Sequence, residues 1–153
     1  MGIPKKISTN KKGIFDNIES SPTSSSSTSE RIVISTDKAP SAIGPYSQGI
    51  KVGKILFTSG QIALTPNGQF LDRDIETQTR QVCENLKQVI EAGGGTLLNV
   101  VKTTIYLTNI EDFQKVNQIY GKYFSHKPAR TTVAVKELPK GAKIEIEAIA
   151  VLD

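Results

Sequence analysis

KIEIEAIAV, at positions 143–151, is the stretch whose reading decides the fold. Strict alternation puts Ile144, Ile146, Ala148 and Ala150 on one side of a β-strand and Glu145, Glu147, Ile149 and Val151 on the other. The first side reads as the wall of a core. The second carries two carboxylates beside two branched aliphatics, so neither side is simply solvent-facing. A sheet built on such a strand needs cover on both faces. Whatever part of the second face the chain's own helices leave bare must be hidden against another subunit, which predicts a closed homo-oligomer.

Working outward, positions 131–135 read as a strand just before this one, and positions 100–107, VVKTTIYL, as a β-branched strand further back. Between these two, Asn109, with Asp112 three residues on, is placed to cap a helix that turns Phe113, Val116, Ile119, Tyr120 and Tyr123 or Phe124 inward. Upstream, Ile75, Val82, Leu86, Val89 and Ile90 recur at helical spacing, with Asp74 as cap and Gly93-Gly94-Gly95 as stop. Positions 48–52 and 55–59 read as a hairpin turning at Gly53-Lys54, and Ile32 to Ile34 as a short β-run. The order β, β, β, α, β, α, β, β predicts an α+β domain in which two helices cover one face of a mixed sheet.

The 153 residues, 37% hydrophobic and 22% charged, suit one domain of this kind. The richest apolar window is broken by Lys102, Thr103 and Thr104, well short of the ~18 apolar residues a membrane span needs. Positions 20–29 read SSPTSSSSTS, without a charge or a large apolar side chain, and cannot repay their ordering entropy. The expected division is therefore a disordered Ser-rich tail over 1–30 and a folded domain over 31–153. The tail has no apolar run for secretion, and Lys6 stands where a myristoylation pattern wants Ser or Thr. A cytoplasmic location is expected. Organelle import is the minority reading, because the tail is Ser-rich and poor in acids yet holds no arginine.

One cysteine, Cys83, cannot close an intrachain disulfide or, with one histidine, build a zinc cage. His126, in the polar run Ser125-His126-Lys127, reads as a solvated loop residue, so no Ser or Cys triad is expected. The net charge of +4 divides into +1 over 1–30, four lysines against Asp16, Glu19 and Glu30, and +3 over the rest. The four arginines, Arg31, Arg73, Arg80 and Arg130, are dispersed, and no aromatic-rich strand accompanies them, which argues against nucleic acid as a partner.

Four segments then fall into one pattern: Ala42-Ile43-Gly44-Pro45-Tyr46-Ser47-Gln48, Thr58-Ser59-Gly60-Gln61, Pro128-Ala129-Arg130 and Lys143-Ile144-Glu145-Ile146-Glu147-Ala148. Together with Asp112-Phe113-Gln114-Lys115-Val116-Asn117 they resemble the RidA (YjgF/YER057c-type) reactive-intermediate deaminases over about 32–152. The resemblance implies a chorismate-mutase-like fold, a homotrimer with clefts between subunits, and no metal or organic cofactor. It implies hydrolysis of enamine and imine intermediates (2-aminoacrylate/2-iminopropanoate, 2-iminobutanoate) to 2-keto acids and ammonia, a role in metabolite damage control.

Such a site needs a planar cation for the substrate carboxylate, a held water, and a proton donor or acceptor. Arg130 is the candidate cation, its guanidinium fork matching a carboxylate better than a lysine would. Glu145 is the candidate to hold or activate water, with Glu147 a structural or charge partner. Tyr46, Ser59 and Asn117 match family positions around the bound ligand. Thr132 stands where cysteine is common, so thiol chemistry is not required, and Lys127 replaces a residue that is often aromatic or apolar. The competing readings are a non-enzymatic ligand-sensing regulator or holdase-like module using the same cleft, and RNA cleavage or translational inhibition.

Overall fold

The computed structural model describes residues 30–153; the tail and its Ser-rich run, Glu30 apart, lie outside the described residues. Six strands form one sheet: β1 (Arg31–Ile34), β2 (Gly49–Val52), β3 (Ile55–Thr58), β4 (Val100–Leu107), β5 (Ala129–Ala134) and β6 (Ile144–Val151), in the order β1-β2-β3-β6-β4-β5. Only β4 and β5 pair in parallel, as they must when a helix carries the chain from one to the other. The C-terminal strand β6 inserts between β3 and β4, antiparallel to both.

Helix α1 (Ile75–Ala92) starts where Asp74 accepts from the Thr77 backbone N–H at 3.0 Å and the Thr77 hydroxyl at 2.7 Å. Those bonds hold the Asp74 carboxyl down at about 2. Val82, Cys83, Leu86, Val89 and Ile90 point inward and are buried. The helix ends as the glycines predict: Gly93 donates to Val89 and Ile90, and Gly94 takes φ +97. Burial pushes the Cys83 thiol pKa up, away from reactivity.

Helix α2 (Phe113–Tyr123) differs from expectation at its start. Asn109 caps not this helix but a 3-10 turn, Ile110–Asp112, accepting from the Glu111 N–H at 3.0 Å, and Asp112 makes no side-chain cap. The capping chemistry is spent one turn early, and the turn then runs into the helix.

Both helices lie on the side of the sheet that carries Ile144, Ile146, Ala148 and Ala150, all buried. On the other side Glu145, Glu147 and Ile149 are half-buried, while Ile55, Phe57, Val133 and Val151 are exposed, 39–44% each. The two-faced alternation read from the sequence is the alternation observed. Among the described residues no helix is long and apolar enough to cross a membrane.

Candidate active site

Strand β3 leaves the sheet after Thr58, and Gln61 rejoins it opposite Ile146, with N–H···O bonds of 2.9 and 3.1 Å in the two directions. The Ser59-Gly60 excursion opens a cavity of about 790 Å³, whose walls include Tyr46, Ser59, Lys140, Glu145 and Glu147. The facing loop is tied down by Gln48, which is buried. Its side chain accepts from Thr36 N–H at 2.7 Å and donates to the carbonyls of Pro40 at 2.7 Å and Thr36 at 3.0 Å. Gly44, at φ +125, and Pro45 then turn the chain so that Tyr46 N–H reaches back to Gly44 at 2.9 Å, leaving the Tyr46 ring 53% exposed at the cavity.

Ser59 is committed twice: its N–H donates to Gln48 at 2.9 Å, and its hydroxyl donates to the Ser47 carbonyl. It locks the Tyr46 loop to the end of β3 and offers lone pairs to the cavity. Burial, and secondarily the neighbouring Glu147 carboxylate, raises the Glu145 pKa. Glu147 accepts from the Tyr106 hydroxyl at 3.0 Å, across β6 and β4. The raised proton affinity makes Glu145 the carboxyl of this cavity best suited to exchange a proton.

Arg130, Asn117 and Thr132 are elsewhere. Arg130 pairs with Thr103 in the β4–β5 register, so its side chain leaves the helix-covered face; Glu145 pairs with Tyr106 and leaves the other. Two strand spacings and three residues along the strand separate their Cα atoms by about 14 Å. The guanidinium sits 5.2 Å from the Phe113 ring centroid and 5.1 Å from that of Tyr120, and donates to Asn117 Oδ1 at 2.7 Å. The Tyr120 hydroxyl is itself fixed to Thr103 Oγ1 at 2.6 Å. Among the described residues no carboxylate lies within salt-bridge distance of Arg130. It opens on a cleft of about 340 Å³ that also takes in Lys127 and Pro128. The Thr132 hydroxyl oxygen, two residues on, is buried without a hydrogen-bond partner.

One chain thus places Tyr46, Ser59 and Glu145 in one cavity and, on the other face, Asn117 and Arg130 in a cleft beside α2, with Thr132 lining a separate cleft with Ile110, Glu111, Phe113 and Gln114. Sequence reasoning missed Gln48, the Tyr106–Glu147 bond and the aromatic sandwich around Arg130. Phe113 and Tyr120 were legible as inward-facing helix residues, but nothing in their spacing shows that they flank a cation. His126 is exposed, with Nε2 2.8 Å from the Val100 carbonyl. Among the described residues no cluster of three or more His, Cys, Asp or Glu side chains is placed to hold a metal ion.

The sequence model of the family described as Endoribonuclease L-PSP matches residues 36–152, nearly the whole described chain. The chain belongs to this family, the RidA/YjgF family. Within it, the chain is 47% identical over 123 residues to the human 2-iminobutanoate/2-iminopropanoate deaminase, covering 79% of this chain and 90% of that one. It is 48% identical over 130 residues to the chloroplastic Reactive Intermediate Deaminase A of Arabidopsis thaliana, covering 84% and 70%. The crystal structure of E. coli TdcF with bound serine, 40% identical, superposes with a TM-score of 0.76 over 80% of this chain and 99% of that one. The α+β sheet with two helices on one face is therefore a RidA fold.

Proposed function

We propose that the chain hydrolyses 2-imino acids, and the enamines that tautomerise to them, to 2-keto acids and ammonia, and that each site is completed between copies of a homotrimer. One observation carries the reading: Arg130 is a guanidinium held between two rings and an amide, with no carboxylate among the described residues to neutralise it. A cation so arranged is a ready seat for an anionic headgroup. The human relative's name supports the substrate class. The half-exposed apolar side chains on the open face, Phe57, Ile55 and Val151 among them, support the assembly.

In the proposed site Arg130 of one copy grips the substrate carboxylate, the Thr132 hydroxyl finds its partner there, and Glu145 of the next copy faces the C=N carbon. Water adds to that carbon as Glu145 takes its proton, giving a carbinolamine. The protonated Glu145 returns the proton to nitrogen. The C–N bond then breaks as the hydroxyl collapses to C=O, and its proton leaves through Glu145 to the departing ammonia. Iminium plus water becomes keto acid plus ammonium, with Glu145 regenerated. Its raised pKa suits a group that must both accept and release a proton. Tyr46 orients substrate or water from the cavity wall.

The word endoribonuclease in the family's description meets a physical obstacle here. The four arginines are dispersed along the chain and no aromatic-rich strand accompanies them, so no continuous basic, base-stacking surface is offered to RNA. We place the chain in the cytoplasm, with import through positions 1–30 as the alternative that the Arabidopsis relative's name raises; a fluorescent fusion of the full chain decides between them.

The test couples a serine or threonine dehydratase to the protein and follows keto-acid and ammonia release above the spontaneous rate. Wild type accelerates release, and Arg130→Ala does not while keeping its oligomeric mass. Undiminished activity in that variant turns the reading toward a ligand-sensing regulator in the same cleft, with keto acid bound but not turned over.

A further inference from the structure

Gly60 is the turning point of the Ser59-Gly60 excursion, and β6 runs beside it with Glu145 next to Ile146, the residue that Gln61 pairs with. A Cβ placed on Gly60 would lie 2.8 Å from Glu145 Cδ, 2.9 Å from its Cγ and 3.2 Å from its Oε1. The three nearest atoms all belong to that one side chain. Gly60 is not among the glycines at positive φ, so its backbone conformation is open to any residue. What demands glycine here is therefore space, and the occupant of the space is a carboxyl group.

We infer that Gly60 is a positioning residue: by lacking a side chain it lets the Glu145 carboxyl lie against the backbone at the cavity floor, and so sets where that carboxyl meets the substrate. The inference rests on the proposed role of Glu145 in imine hydrolysis. It assigns Gly60 no contact with substrate; Gly60 acts through Glu145. The other charged or titratable groups facing Glu145 are Glu147 from β6, Tyr106 from β4, and Lys140 and Tyr46 on the cavity walls. The three atoms nearest a methyl group on residue 60 all belong to Glu145, so Glu145 is the side chain such a methyl meets first.

The obstructing atoms, Cγ, Cδ and Oε1, belong to a flexible side chain rather than to backbone, so Gly60→Ala is expected to fold with Glu145 turned about χ1 and its carboxyl swung away from residue 60. A misplacement of about 1 Å at a reacting group costs up to about 100-fold in rate. The experiment has two arms. The first follows the Glu145 carboxyl through a pH titration by carbon NMR in wild type and Gly60→Ala, and needs no imine turnover. It is expected to show the Glu145 midpoint moving down toward ordinary carboxylates; an unmoved midpoint overturns the inference even if imine hydrolysis stands. The second measures kcat and KM in the dehydratase-coupled assay: kcat falls about 10- to 100-fold with KM little changed, and the acid limb of the pH profile moves down.

In the Glu145→Gln background the same Gly60→Ala change is expected to remove little further activity. A full second loss there refutes action through Glu145. Should Gly60→Ala fail to fold, adding Glu145→Ala removes the three atoms in the way and restores the fold; a double variant that stays unfolded also refutes it. If wild type hydrolyses no imine, the function proposed for Glu145 fails, while the NMR titration still judges whether Gly60 places its carboxyl.

Discussion

Arg130→Ala and Glu145→Gln, each disabling alone, are expected to restore activity when combined in one oligomer. Within one chain their side chains leave opposite faces of the sheet, from Cα atoms about 14 Å apart with β4 between them. Neither reaches the other's side of the sheet, so on the proposed reading a complete site takes Arg130 from one copy and Glu145 from a neighbour. Losing the charge-assisted grip costs about 1.5–3 kcal/mol, or about 10- to 100-fold in kcat/KM. Losing the proton acceptor costs about 100-fold or more. Co-expression of the two variants under different affinity tags, followed by tandem purification, yields only oligomers containing both. In a three-membered ring every such hybrid, whether two-to-one or one-to-two, holds a single interface with an intact Arg130 facing an intact Glu145. The dehydratase-coupled assay should therefore read about one third of wild-type activity, and about one half if the assembly is a dimer. Hybrid activity no higher than the mean of the two single variants refutes a shared site.

Three further outcomes are expected of the folded chain. Gln48→Leu strands the Pro40 and Thr36 groups that its amide satisfies, and is expected to lower stability by about 3 kcal/mol in urea unfolding. Glu145→Gln is expected to melt higher than wild type at neutral pH: the folded-state pKa is raised, so ionisation destabilises the fold as pH climbs above the unfolded value of about 4.3. The advantage should vanish in melts below about pH 4. Cys83, fully buried, should resist thiol reagents in the native protein and label only at the rate of opening, measured by colorimetric thiol titration with and without denaturant.

The elements that sequence made legible are those whose signal is local. Asp74 and Gly93-Gly94 bracket α1 because capping acts within one turn, and β6 announces itself by period-two alternation. Ala129–Ala134, ARTTVA, lacks such alternation, so the face from which Arg130 emerges stays unspecified until pairing with β4 sets the register. The same holds for the Tyr106–Glu147 bond, a cross-strand pair between residues 41 apart. Asn109 misled for the opposite reason. Its capping signal was genuine, but a 3-10 turn consumed it before the helix began. The candidate site residues were named by their short motifs, and their division between two faces was not, because a motif names residues without saying which side of the sheet they occupy.

That division constrains how copies must meet. The Arg130 cleft under α2 and the Glu145 cavity at the end of β3 are different surfaces on opposite sides of one sheet. A contact that joins them is heterologous, since the patch given differs from the patch received. A single neighbour related by a two-fold axis would have to reach both faces of the sheet at once. A ring, in which each copy gives its cation to one neighbour and receives a carboxylate from the other, meets the requirement with one repeated contact. The half-buried Glu147 and Ile149 and the exposed Phe57 lie on the face such a ring encloses. On the proposed reading, then, the apolar half of β6's second face holds the ring together, and its acidic half, Glu145 foremost, is carried by the same strand to the seam where substrate binds. A variant that breaks the ring through the apolar half, such as Phe57→Glu, should abolish hydrolysis without altering either group of site residues within the chain. Light scattering and the coupled assay on one sample check this, and an active monomer would sink it.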